Sequence, residues 1–288
     1  MPSARQQRGA FTLIEMMITV TLLGFIILGL TAMFIQTQRA FRAGTAQSDV
    51  LEAGRAATDL ISRELVETAP ARLGDLNDPV INFFVAQAAT STNNLPGATF
   101  QRINELDYFF ALSQYNQLWH GIGYVVAVPG KTILDQPVGT LYRWQYPESG
   151  DGTNNPAGLS YQFGTNAVGA AFNGVITTNL VRVADGIVHF RVVPYDTNGV
   201  EIASYMGLTN LNIIFKNGGR DILFASNAIP AYLDLELAVL EPDTLAKYKA
   251  IPVDAAQKAF FEREQTAGRI HVFRRHIALP NVDTEAYR

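Results

Sequence analysis

Between Glu15 and Arg39 the chain carries no ionisable side chain, and Met16 to Gln38 is an almost continuous apolar run. Its length of about twenty-three residues matches the roughly twenty that a helix needs to cross a bilayer's hydrocarbon core. The helical pattern continues past the run. Val50, Ala53, Ala57, Leu60, Ile61 and Leu65 recur at spacings of three and four, while Arg42, Asp49, Glu52, Arg55, Asp59, Arg63 and Glu67 fill the other face. Glu52–Arg55 and Asp59–Arg63 stand in the favourable acid-first order. Pro70 ends the pattern. One helix is therefore predicted from about Thr12 to Thr68, apolar all round in its first half and amphipathic in its second. Gly24, Gly29, Gly44 and Gly54 weaken it by about 1 kcal/mol each relative to Ala. On an apolar helix such small residues also permit close approach of another helix.

After Pro70 the pattern changes. Ala71 to Gln101 reads as loop, broken by Asn77-Asp78-Pro79 and Pro96-Gly97. Strands are predicted over Asp107–Leu112, Gly123–Val128, Thr140–Tyr146, Val175–Val183, Ile187–Tyr195, Leu211–Phe215, Ala231–Leu240 and Arg269–Leu279. Turn-rich stretches at Pro147 to Gly158 and Gly164 to Gly174 separate them, and Asp196-Thr197-Asn198-Gly199 is a further turn signal. A single helix interrupts this half, Ala255 to Thr266, with Asp254 as its cap and Gly268 closing it. The expected class is α+β: a long N-terminal helix packed on antiparallel β-sheets.

Composition narrows the functional classes. Of 288 residues, roughly seventy belong to the N-terminal helix and what precedes it, leaving enough chain for one β-rich domain. A hydrophobic share of 48% suffices for a proper core. The net charge of −4 argues against nucleic acid as a partner. With four His and no Cys, neither a disulfide framework nor a thiolate metal site can form. Arg5 and Arg8 precede the apolar run, so the N-terminus is expected to stay cytoplasmic and the remainder to emerge on the far side. The run is long for a signal peptide, and no A-x-A-like site follows it.

Glu15 is the unusual residue. A carboxylate in a membrane helix costs roughly 2.5–3.5 kcal/mol at the bilayer centre and less near the interface, so it normally has a function and a partner. Behind the short basic leader, Ala10-Phe11-Thr12-Leu13-Ile14-Glu15-Met16-Met17 resembles the class III signal of type IV prepilins and type II secretion pseudopilins. The resemblance implies cleavage by a prepilin peptidase on the cytoplasmic side and methylation of the new N-terminal amine. It also implies that the apolar helix becomes the packing element of a filament. Glu15 would there neutralise a neighbouring subunit's N-terminal ammonium, so that neither charge stays unpaired in a low-dielectric core.

In that family the cut usually follows Gly, with Glu fifth in the mature chain. Cutting between Ala10 and Phe11 makes Glu15 fifth, with Ala replacing Gly and Phe11 carrying the methyl group; cutting between Gly9 and Ala10 makes Glu15 sixth. The first register is expected, the second is the alternative, and Thr12 and Glu15 are the assembly residues.

Arg39 to Glu67, Ala184 to Gly199 and Ile229 to Leu237 resemble PilW-type minor pilins and J-type minor pseudopilins, with Pro242 to Gly268 as an insertion. The implied architecture is a pilin fold with a leader over residues 1–10, a transmembrane or filament-core half-helix over 11–38, an amphipathic half over 39–69 and a globular domain over 70–288. The implied partners are the peptidase, other minor and major pilins or pseudopilins, and the inner-membrane assembly platform. A single-pass inner-membrane protein with an extracytoplasmic domain is expected, and the resemblance leaves pilus versus secretion system open.

The remaining chemistry is sparse. His271 and His276, five apart on a strand, point to opposite faces and cannot share a metal. Asp151-Gly152-Thr153-Asn154-Asn155 offers oxygen ligands without the spaced acidic ladder of a Ca²⁺ loop. Tyr108, Phe109, Phe110, Tyr115, Trp119 and Tyr124 read as core. No catalytic or cofactor motif appears. A structural assembly subunit without enzymatic activity is therefore expected, the alternative being a membrane-anchored exported enzyme or binding protein with a prepilin-like N-terminus.

Overall fold

The computed structural model describes residues 12–71, 74–75, 78–93, 102–116, 118–133, 136–146, 156–207, 212–252, 254–261 and 269–287. The chain forms two compact units, Met1–Ser48 and Asp49–Arg288. Helix α1 spans Leu13–Val66 and ends within two residues of the predicted boundary.

In the first unit the described residues from Leu13 on are helix, apolar from Met16 to about Gln38, and its large hydrophobic side chains from Leu13 to Phe41 are exposed. The hydroxyls of Thr19, Thr21, Thr31 and Thr37 donate back to the carbonyls of Met16, Met17, Ile27 and Met33. Each threonine is thus satisfied within the helix and adds no unpaired donor in lipid. This segment is long and apolar enough to cross a membrane.

The second unit is built on a sheet of nine strands: β3 (Ile81–Asn93), β4 (Arg102–Tyr115), β5 (Leu118–Ala127), β6 (Gly139–Tyr146), β7 (Leu180–Tyr195), β8 (Ile213–Lys216), β9 (Asp221–Ala225), β10 (Tyr232–Leu240) and β11 (Ile270–Ala278). Their order is β11-β10-β7-β6-β5-β4-β3-β9-β8, with an antiparallel ladder between each pair of neighbours in that order. The two-residue strands β1 (Gly74–Asp75) and β2 (Asp78–Pro79) pair separately. The layout is α+β, as expected from the sequence.

Side chains alternate along the strands, so each face buries a different helix. Val50, Ala57, Ile61 and Leu65 of α1 join Phe109, Tyr124, Leu233, Leu235 and Leu237 in one core. The opposite face packs Phe110, Val125 and Trp144 against a helical stretch made of α2 (Ala157–Gln162), a π-helical segment Phe163–Val168 and α3 (Gly169–Phe172). A third cluster lies under α4 (Pro242–Lys249), where Leu245 and Tyr248 meet Val188, Ala238 and Ile270.

Two polar contacts fasten α1 to the sheet. Arg143 Nε and Nη2 reach Glu64 Oε1 at 2.7 and 2.6 Å, and the Tyr124 hydroxyl donates to Glu64 Oε2. Arg275 of β11 pairs with Asp59. Beside that pair the Phe273 ring lies against Gly54, where a Cβ would stand 2.1 Å from it.

The sheet contains a seam. Past Tyr124 of β5 and Gly139 of β6, strands β4 and β7 close on each other with a parallel contact at Leu106–Phe190. Side chains replace the missing ladder there: Glu105 N–H donates to His189 Nδ1 at 3.0 Å, and Val192 N–H donates to Asp107 Oδ2 at 2.9 Å. Arg191 pairs with Glu105 at 2.7 Å across the same gap. Buried backbone donors need partners, and the seam supplies them without strand pairing.

Several expectations are corrected. Ala71 to Gln101 is not all loop, because β3 buries Phe83 and Val85 between β4 and β9. The predicted strands Val175–Val183 and Ile187–Tyr195 are one strand, β7, starting at Leu180 and bent where Gly186 takes a positive φ. Residues 157–172, which overlap the stretches Pro147 to Gly158 and Gly164 to Gly174 read as turns, are helical, and α4 and β9 were not foreseen. Asp254 opens α5 (Asp254–Phe261) as its first residue, not as the cap before it, and residues 262–268 lie outside the described residues. Tyr115 is exposed, unlike Phe109, Phe110 and Tyr124.

Candidate functional site

Thr12 is the first described residue and the residue before α1 begins. Its carbonyl accepts from the Glu15 and Met16 N–H groups at 3.1 and 3.2 Å, closing the first turn. Glu15 reaches back. Its Oε2 stands 3.5 Å from the Thr12 nitrogen and 3.4 Å from Thr12 Oγ1. Thr12-Leu13-Ile14-Glu15 thus has the spacing of a capping box, in which the third helical residue covers an orphan N–H of the cap. The [ST]-x-x-[DE] spacing ahead of an apolar run was the available sequence signal, and periodicity alone passes over it.

The structure therefore brings Thr12 and Glu15 together. Both contacts lie at the long end of hydrogen bonding, and the carboxylate is exposed at a helix N-terminus, where negative charge is favoured. Among the described residues the side-chain partner of Glu15 is Thr12, at these two long contacts. Gly9, Ala10 and Phe11, the residues of both cleavage registers, lie outside the described residues.

The histidines have separate partners. His271 Nε2 is 3.1 Å from Glu241 Oε1, and His276 Nδ1 is 2.6 Å from Asp234 Oδ1. His189 is buried; its Nδ1 accepts from Glu105 N–H, so the ring proton sits on Nε2, 3.3 Å from Glu236 Oε2. Among the described residues no group of three or more His, Asp or Glu is placed to hold a metal ion. Asp151 to Asn155 lies outside the described residues.

Asp107 was not singled out by sequence reasoning. Burial pushes its carboxyl up to about 8, against the lowering effect of the Val192 N–H, with Glu105 adding a smaller upward push and Arg191 a downward one. Nothing local marks it, since its partner lies 85 residues away.

Comparison with known proteins bears on the N-terminus. Residues 5–31 match the prokaryotic N-terminal methylation motif. No curated protein and no solved structure matches the chain. The apolar helix and the motif together fit a protein anchored in the inner membrane. The chain carries the type IV prepilin-like signal, and this motif supports a type IV pilin-like protein and suggests a structural one.

Proposed function

We propose that the chain is a minor pilin or pseudopilin, a structural subunit that primes or caps assembly of a type IV pilus or a type II secretion pseudopilus. The observation that carries this reading is Glu15, an exposed carboxylate at the head of an apolar helix inside the methylation motif. Prepilin peptidase removes residues 1–10 and methylates Phe11. The half-helix 11–38 sits in the membrane before assembly and in the filament core afterwards. The amphipathic half 39–69 carries the globular part 70–288 outside the cytoplasm, among other pilins and the assembly platform. The similarity of Arg39 to Glu67 to PilW-type and J-type subunits supports the minor class.

Intact-mass and N-terminal analysis of the membrane-extracted protein tests the reading. A mature chain beginning with methylated Phe11 is expected. A start at Ala10 overturns the register, and an unprocessed chain beginning at Met1 overturns the class.

A further inference from the structure

A cavity of about 280 Å³ opens between the start of β6, the bend of β7, α4 and α5. Three cations line it, Lys131, Arg182 and Lys249, against Asp185 as the one carboxylate among the described lining residues. Asp185 is already engaged: the Thr140 hydroxyl donates to it at 2.8 Å, Arg182 pairs with it, and Lys249 lies 3.9 Å away. Arg182, Lys249 and Asp185 together keep an excess of one positive charge.

The charges and the neutral groups are sorted by depth. The Arg182 and Lys249 side chains are 65% and 60% exposed, so the cationic groups form the mouth. Gln136, Tyr248 and Gln257 are 6%, 4% and 6% exposed and form the floor. Tyr248 hydroxyl to Gln136 Oε1 is a long 3.4 Å. Gln257 Nε2 donates to the Ile251 carbonyl at 2.8 Å and to the Tyr248 carbonyl at 3.5 Å, which fixes the orientation of the amide. Its Oε1 then has no hydrogen-bond partner among the described residues. A buried acceptor without a donor is costly, and a hydroxyl brought by a ligand would relieve it.

We infer that this cavity binds a small hydroxylated carboxylate of the uronic-acid class, its carboxylate at the Arg182–Lys249 mouth and its hydroxyls on the Gln136–Tyr248–Gln257 floor. The volume lies at the small end of ligand pockets, which suits one sugar ring and not a chain inside the cavity. A bare inorganic anion would use the mouth and leave the floor unanswered. Tyrosine and amide groups around a polar floor suit a polyol, and the positive mouth selects an acid among polyols.

Calorimetric titration of the full chain in lipid nanodiscs with glucuronate, glucose and inorganic phosphate tests this. Glucuronate is expected to bind, and Lys249→Ala and Gln257→Leu are each expected to weaken it by about tenfold. Lys249 is exposed, so its variant is read at an unchanged melting temperature even if Gln257→Leu unfolds. No heat with glucuronate up to about 10 mM overturns the proposal. Equal binding of glucose overturns the role of the cations, and phosphate binding that matches glucuronate overturns the role of the floor.

Discussion

Val192 gives its backbone N–H to the carboxyl of Asp107 at 2.9 Å, holding β7 to β4 at a place where the two strands form no regular ladder. Because burial raises this carboxyl to about 8 from an ordinary 3.8, the folded protein binds its proton more tightly than the unfolded chain does. The stability it contributes is fully present below about 4 and is lost as pH rises through about 8. The charged groups nearby are Glu105 and Arg191. Asp107→Asn keeps an acceptor for Val192 and cannot titrate. Melting temperature followed from pH 4 to 8 (roughly the span of the shift) should fall more steeply in wild type than in the variant; parallel curves would show that Asp107 is ionised in the fold.

The Glu64–Arg143–Tyr124 contact joins helix to sheet in a partly buried setting. Arg143→Ala strands the Glu64 carboxylate beside the Tyr124 hydroxyl and should cost about 1.5–3 kcal/mol, the range for hydrogen bonds to charged groups. Denaturant unfolding measures it. A loss within the noise would mean that solvent replaces the pair.

Gly123 faces the Phe163 ring, and a Cβ there would lie 2.3 Å from Cε2. The ring is fully buried and packed against Phe110 and Trp144, so it has little room to retreat. Gly123→Ala should destabilise by about 1–3 kcal/mol through overpacking. Adding Phe163→Leu should recover part of that loss in a double-mutant cycle, and strict additivity would refute the contact.

Residues from Arg39 onward should fold alone, since the stripe Val50 to Leu65 is buried against the sheet of the same unit. A protein starting at Arg39 should show mixed helix and strand by circular dichroism and melt cooperatively. A broad, non-cooperative melt would argue against an independent domain.

Glu15→Gln keeps the shape of the side chain and removes its charge. If the carboxylate pairs with a neighbour's N-terminal ammonium, breaking the buried pair costs about 3–5 kcal/mol. Membrane insertion should be unimpaired while cross-linking to other pilin subunits falls sharply. Wild-type cross-linking would remove charge pairing from the account of Glu15.

What the sequence disclosed follows from how far each signal reaches. The whole of α1 was legible, because its two halves follow a helical period that needs no distant partner. Strand β10 was legible for a similar reason: Leu233, Leu235 and Leu237 alternate with Asp234 and Glu236, and the pattern assigns the faces. Strand β3 was hidden because Asn and Pro on both sides suggested loop, while its order comes from ladders to β4 and β9. In the 157–172 helix, Leu159, Phe163, Ala167 and Ala171 recur every four residues, but Gly and Asn between them masked the stripe. The seam of Asp107 and His189 had no local signal at all. At the N-terminus the motif itself was readable, whereas the Thr12–Glu15 contact needed coordinates.

The pairing of Asp59 with Arg275 spans 216 residues of chain. Its consequence concerns the order of synthesis. When the Asp59 turn of α1 leaves the ribosome, the strand that covers it has not been made, and at about 5–20 residues per second the wait is roughly 10–40 s. During that interval β4, β5 and β10, which share its core, are made one after another, so the apolar stripe Val50 to Leu65 is covered in steps, while the segment before it is long and apolar enough to cross a membrane. A ribosome that stops short of Arg275 therefore leaves α1 without its last covering strand, an unclosed core that is a substrate for proteolysis.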